Sequence, residues 1–435
     1  MFDLTAKPER LFGTGRRAWL PIAILLLAAG PAAAVQADGA AGAAAGETPA
    51  RAAVETGYAR LRELTERGAR PAGEIEAEIG DFVADLFALE WLAPQLLPQQ
   101  WADLSEHDRG MLVQALGAAI RHRALAYLGD DAPGEMRFLS GSGGGDSDGS
   151  ARLDYEVSIG DRRETVTLHL LRMPDEGWRI REVMRDGTPL LSGFQRVATR
   201  LLEEYSFPYM VAELGGSGVV VLEDFESGPL DTLPAGWTWR GRDAEKHKPY
   251  RVREENGNRY LEARDEGESV ILGKTLKWDL RRYPYVSFRW RVNEIPENGD
   301  ERFDERVDSA AGIYFIYKKK MLGLIPESVK YVWSSTLPVG SATRRQGTGK
   351  PWMVVAGSGS DGLGEWRTFV FDLRKAYEDT FGGHPPDKPI GIGILSDANS
   401  THSHAYADYD DILALQSADP SVTSGVEEIL EANPK

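Results

Sequence analysis

Four acidic residues are the first to suggest chemistry. Asp224 and Glu226 share parity on one strand-like run, and Asp408 and Asp410 share parity on another near the end of the chain. Alternate residues of a strand project to one face, so four hard oxygen donors could meet around a structural Ca²⁺. The same carboxylates could equally sit solvated at strand ends. Arg289 and Arg291 also share parity, opposite Phe288, Trp290 and Val292. With Asp308 they could grip a phosphate or a sugar acid through planar, paired hydrogen bonds, or form a plain salt-bridged face. His402 and His404, downstream of Asp397 and Asn399, offer a sparser metal or base set. Gly357-Ser358-Gly359-Ser360 lacks the strand-turn-helix frame of a nucleophile elbow. Gly347-Thr348-Gly349-Lys350 runs into Pro351, so it opens no phosphate-binding helix. No nucleophile, base and orienting group come together, and the expectation is a protein that is not an enzyme.

Composition narrows the classes further. Lys plus Arg number 50 against 67 Asp plus Glu, a net charge of −17, which argues against a broad nucleic-acid surface. Cysteine is absent, which removes disulfides, thiolate metal sites, a cysteine nucleophile and a lipoprotein anchor. Arg16 and Arg17 precede the apolar run Ala18 to Ala29, and Ala32, Ala33 and Ala34 follow. A basic flank, a short apolar stretch and an A-x-A site are the parts of a secretory signal. Residues 1–34 are therefore expected to be a signal peptide, 35–50 a disordered leader, and the mature protein periplasmic.

Two kinds of periodicity must position the residues named above. Leu61, Leu64, Ile79, Phe82, Val83, Leu86 and Phe87 recur at helical spacing. Pro94 and Pro98 punctuate the next stretch. Ser105 with Asp108 then caps a helix whose apolar stripe includes Leu112, Leu116 and Ile120. After Pro133 the period becomes two: Leu153, Tyr155, Val157 and Ile159, then Val166, Leu168 and Leu170, then Trp178 and Ile180. Gly141 to Ser150 reads as a hairpin loop, and a last helix from about Leu190 to Tyr205 carries Phe194, Val197, Leu201 and Leu202. Residues 51–214 are expected to form an α+β domain, helices over a curved antiparallel sheet. Residues 215–218 are a glycine-rich linker, 219–418 an all-β jelly-roll-like sandwich of many short strands, and 419–435 a flexible tail.

The stretch Gly177-Trp178-Arg179-Ile180-Arg181-Glu182-Val183-Met184-Arg185-Asp186-Gly187-Thr188-Pro189-Leu190 runs into Gly193-Phe194-Gln195-Arg196 and ends at Tyr209-Met210-Val211-Ala212-Glu213-Leu214. It resembles the closing part of the MlaC-type (toluene-tolerance) periplasmic lipid carriers, over roughly residues 70–214. Leu104-Ser105-Glu106-His107-Asp108-Arg109 is similar to the third-helix region of that family. The resemblance implies an MlaC/NTF2-like fold, phospholipid as ligand, and exchange with inner- and outer-membrane lipid transport complexes. It also implies a wedge between helices and sheet, lined by Leu116, Ile120, Tyr155, Val157, Val166, Leu168, Leu170, Ile180, Phe194 and Val197. The same side chains could instead fill a closed core.

Residues 220–415 resemble the domain of unknown function 3047. The matching pieces include Leu222-Glu223-Asp224-Phe225-Glu226, Leu233-Pro234-Ala235-Gly236-Trp237, Phe288-Arg289-Trp290-Arg291-Val292 and Ala407-Asp408-Tyr409-Asp410-Asp411-Ile412. That family brings no activity with it. The expectation from sequence is thus an exported phospholipid carrier with an accessory sandwich, whose partner could be an envelope glycan, and no cofactor beyond the Ca²⁺ above. The rivals are an envelope carbohydrate-binding protein and a hydrolase with its site in the second domain.

Overall fold

The computed structural model describes residues 47–66, 72–128, 136–159, 162–174, 176–185, 187–239, 249–320, 325–347 and 349–419. The expected signal peptide and most of the leader and tail lie outside them. The described residues divide into two compact units, one within 47–104, 109–200 and 214–216, the other within 105–108, 201–213 and 217–419. The first mixes helices with an antiparallel sheet; the second is mostly β. No described helix is long and apolar enough to cross a membrane.

In the first unit, α1 (Pro49–Glu66) starts on a proline, whose fixed φ suits a first helical turn. Its Tyr58, Leu61 and Leu64 are buried at helical spacing. In α2 (Ala72–Asp85) the buried residues include Ile79, Val83 and Ala84. Next, α3 (Leu89–Leu96) contains Pro94, which sequence punctuation had set between elements. In so short a helix a proline removes a single bond, and burial of Leu92, Ala93 and Leu96 outweighs it. At the start of α4 (Glu106–Leu128), the Ser105 hydroxyl accepts from Asp108 N at 3.0 Å and donates to the Asp108 carboxylate at 2.7 Å.

The sheet of this unit runs β1 (Met136–Gly143), β2 (Ser150–Ile159), β3 (Arg162–Met173), β4 (Gly177–Arg185) and β5 (Thr188–Pro189), in that spatial order and antiparallel. The glycine-rich segment is partly strand: Gly141 pairs with Leu153 and Gly143 with Ala151. Register places Leu153, Leu168 and Val183 in one row, and Ala151, Leu170 and Ile180 in another. Directly opposed residues share a face, so the apolar residues of three strands form one inner surface. After them, α5 (Leu191–Glu204) buries Phe194, Ala198 and Leu201, while Val197 stays half-buried. Phe194 and Leu201 of the expected stripe are buried, while Ala198 is buried in place of Val197 and Leu202 is half-buried. The chain continues into α6 (Phe207–Gly215), whose residues up to Glu213 belong to the second unit.

The second unit holds β6 (Val219–Glu223), β7 (Thr238–Trp239), β8 (Tyr250–Glu255), β9 (Asn258–Asp265), β10 (Leu272–Thr275), β11 (Tyr285–Glu294), β12 (Ala311–Lys320), β13 (Ile325–Ser334), β14 (Ala342–Thr343), β15 (Trp352–Ser358), β16 (Trp366–Asp372), α7 (Leu373–Phe381), β17 (Gly391–Ile394) and β18 (Ala405–Leu415). One sheet is ordered β14-β15-β13-β12-β17-β10-β7 and the other β16-β11-β18-β9-β8, with β6 added beside β18. Their inner faces meet through aromatic rings. Phe288 of β11 lies 5.9 Å from Tyr331 of β13, and Tyr331 stacks on Phe371 of β16 at 4.0 Å. Alternation in β11 explains the contact, because Phe288, Trp290 and Val292 are all fully buried.

Candidate functional site

Two apolar cavities open in the first unit between its helices and the inner face of its sheet. One is lined by Phe87, Leu92, Leu116, Ile120, Val183 and Phe194, with Arg181 and Glu182 at its polar side. The other is lined by Ala53, Val54, Leu86, Leu168, Leu170, Trp178 and Ile180. Each has a volume of ≈ 20 Å³, room for about one water. A short strap between α2 and α3 is hydrogen-bonded to β4, with Ile180 N donating to Leu86 O at 2.7 Å and Ala88 N to Ile180 O at 2.9 Å. Leu86 enters one cavity and Phe87 the other, so the strap forms the wall between them.

Six residues expected to line a lipid wedge border these cavities: Leu116, Ile120, Leu168, Leu170, Ile180 and Phe194. Tyr155, Val157 and Val166 border neither and are buried in the sheet face, and Val197 is half-buried on α5. Sequence reading missed Glu182. Its Oε1 accepts from Val183 N (2.9 Å), Leu190 N (3.1 Å) and Leu191 N (3.2 Å), tying β4 to the start of α5. Burial raises its pKa, against the pull of those three N–H groups. A carboxylate nine residues before the first residue of a helix is not a recognised cap, which is why no local pattern announced it.

In the second unit, Arg289 and Arg291 do share a face, and that face is salt-bridged. Arg289 donates to Asp410 at 2.5 Å, and its Nε lies 2.8 Å from Asp411. Arg291 donates to Asp408 at 2.7 Å and to Glu255 at 2.9 Å. Both guanidiniums stack over Trp366, at 5.0 and 4.9 Å from its ring centre. Asp308 is not with them. One of its oxygens accepts from Thr401 N and Oγ1 at 2.6 and 2.8 Å.

The four carboxylates expected around Ca²⁺ also have separate partners. Asp224 pairs with His107 at 2.9 Å, and Glu226 accepts from Arg259 N at 2.9 Å. Asp408 and Asp410 face the two arginines because direct register in the β11–β18 ladder sets them opposite Arg291 and Arg289. Among the described residues no three His, Asp or Glu side chains are grouped to hold a metal. His402 adopts a left-handed backbone (φ 55°), and His404 lies 3.3 Å from Glu294. Of the tryptophans that could stack on a sugar, Trp237 and Trp333 are buried, whereas Trp239 and Trp352 are partly exposed.

This unit's buried acids make its stability depend on pH. Burial raises the Asp265 carboxyl to about 6, opposed by bonds from Ser269 N and Gly267 N and reinforced by Asp397 and Glu268. Burial also raises Asp410 and Glu301. Between 3.8 and about 6 folded Asp265 keeps a proton that the unfolded chain has released, so stability falls as pH rises through that window. For Asp265 alone the difference is about 3 kcal/mol. Asp300, held low by Arg302, acts oppositely, but its contribution is lost only as pH falls below the ordinary carboxylate value. In chelator-treated protein the melting temperature of this unit should be higher near pH 5 than near pH 7. A melting temperature that climbs steadily across that interval would contradict the assignment.

Residues 235–413 match the family described as "Protein of unknown function (DUF3047)". No curated protein matches the chain. Among solved structures, a phospholipid-binding protein from Ralstonia solanacearum, in complex with a phospholipid, is similar at 11% identity. That match covers 36% of this chain and 88% of the other, with a TM-score of 0.30. The xyloglucanase domain of NopAA, a type three effector from Sinorhizobium fredii in complex with cellobiose, is similar at 11% identity over 42% and 96%, with a TM-score of 0.24. The Emp47p carbohydrate recognition domain follows at 13% identity over 45% and 93%, with a TM-score of 0.19. Scores this low leave the functional reading to the chain's own geometry.

Proposed function

We propose that the first unit takes up the acyl chains of a phospholipid between its helices and its sheet. On this reading the protein is a non-enzymatic periplasmic carrier of an envelope lipid-transport system, with an MlaC-like first unit and a jelly-roll-like second unit as accessory binding module. The observation that supports it is the pair of apolar cavities flanking one strap, bordered by six side chains named from sequence for this purpose. Acyl chains are held by area, at roughly 0.8 kcal/mol per buried methylene, and need no polar constellation. Cavities of ≈ 20 Å³ do not admit a chain as they stand, so loading requires the helices to move off the sheet, with the strap bonds at Ile180 breaking as they do. The ligand's apolar area then stabilises the opened arrangement.

Cavity-filling substitutions test the reading without burying charge. Ala53→Phe fills one cavity and Leu191→Trp the other, both at positions that are only partly buried. Each should weaken binding of a fluorescent acyl-chain phospholipid at least about tenfold, the value of roughly two methylenes. Affinity unchanged in both variants, with unchanged circular dichroism, would place any lipid elsewhere.

A further inference from the structure

The second unit buries a set of carboxylates that the carrier role does not use. Asp308 is fully buried and Asp397 is 6% exposed. Asp397 N donates to Ser309 O at 3.1 Å, which holds the two residues across one crossing of loops. Thr401 occupies one oxygen of Asp308. The other, Oδ1, is buried without a hydrogen-bond partner, and so is Oδ1 of Asp397. Glu301, fully buried, accepts from the Ser309 and Ser334 hydroxyls at 2.9 and 2.7 Å. Asp265, fully buried too, accepts from Ala398 N at 3.0 Å. The nearby cation is Lys330, itself 2% exposed and lying over Gly312, where a Cβ would clash with its Cε.

Buried carboxylate oxygens without partners are costly and rare. A water would supply hydrogen bonds but no charge. Of these acids Asp397 and Glu301 interact with the Lys330 ammonium, and Asp397 is also repelled by Asp308, so a bound cation would supply both the missing bonds and positive charge. We propose that Asp308 Oδ1 and Asp397 Oδ1 are two ligands of a Ca²⁺ ion, at a place distinct from the strand-end carboxylates Asp224, Glu226, Asp408 and Asp410. The donors are hard oxygens, as Ca²⁺ prefers. Two carboxylates suffice for Ca²⁺ because backbone carbonyls and waters complete its variable shell, whereas Mg²⁺ demands a near-ideal octahedron.

Calcium titration of the chelator-treated full chain tests this, by calorimetry and by melting temperature. The expected result is one Ca²⁺ per chain and a rise of several degrees in melting temperature at saturating calcium. Asp308→Asn and Asp397→Asn should each weaken binding at least tenfold, while Glu226→Gln leaves it unchanged. No heat and no shift in the wild-type chain at millimolar calcium would overturn the site. Binding undiminished in both Asn variants, or lost in Glu226→Gln instead, would overturn it as well. The wild-type titration decides even if an Asn variant fails to fold.

Discussion

Leu168→Arg should unfold the first unit outright rather than merely block a ligand. Leu168 has no accessible surface and stands between Leu153 and Val183 in the middle of the sheet. The cavity beside it, ≈ 20 Å³, cannot take a guanidinium. An unpaired charge in such a place costs several kcal/mol, comparable with the whole stability of a domain. Loss of the near-ultraviolet circular dichroism of this unit and of its cooperative melt is the expected readout. A native-like melt with an unchanged midpoint would mean that the wedge already opens widely enough to solvate the arginine. That contrast is why the binding test relies on Ala53→Phe and Leu191→Trp.

Arg289→Ala should destabilise the second unit by about 3–5 kcal/mol. The Asp410 side chain has no exposure; Arg289 at 2.5 Å and Asn258 at 2.8 Å hold one of its oxygens, and Asp411 N donates to the other at 2.9 Å. Removing the guanidinium leaves Asp410 and Asp411 as neighbouring acids with less compensation. Arg289→Lys should recover only part of the loss, since an ammonium cannot reproduce the planar fork shared between two carboxylates. Burial already raises the Asp410 pKa and Arg289 lowers it, so without Arg289 the acid takes up a proton more readily and acidification narrows the gap to wild type. Urea unfolding at two pH values measures this as a lowered midpoint that partly recovers. A loss of stability under about 1 kcal/mol at neutral pH, the size of an exposed pair, would contradict the buried-pair reading.

The parts of this protein that were legible in sequence are those set by local period. Phe288, Trp290 and Val292 alternate with two arginines, and the structure buries one set and pairs the other. Ser105 and Asp108 mark the start of α4 where their spacing says. What escaped depends on neighbours distant in the chain. Arg289 and Asp410 are 121 residues apart, so parity put Arg289 on a face without saying that a carboxylate already occupied it. Asp308 shares no strand with the arginines, and only the loop bearing Thr401 decides where its carboxylate points. Pro94 looked like an end of helix because its chemistry is local, whereas burial of Leu92 and Leu96 is not. The Glu182 contact with the start of α5 crosses a turn and has no fixed spacing. The six cavity residues were legible as apolar positions, but their division by the strap at Ile180 was not.

The carrier account stands or falls on whether the folded chain holds lipid. Native mass spectrometry of the full chain, purified from cells without detergent and followed by solvent extraction, measures this directly. The account predicts one phospholipid per chain, identifiable by its acyl composition, and its loss in Ala53→Phe and Leu191→Trp while both remain folded. A wild-type chain that flies at its bare polypeptide mass, and stays so after incubation with phospholipid vesicles, would contradict it.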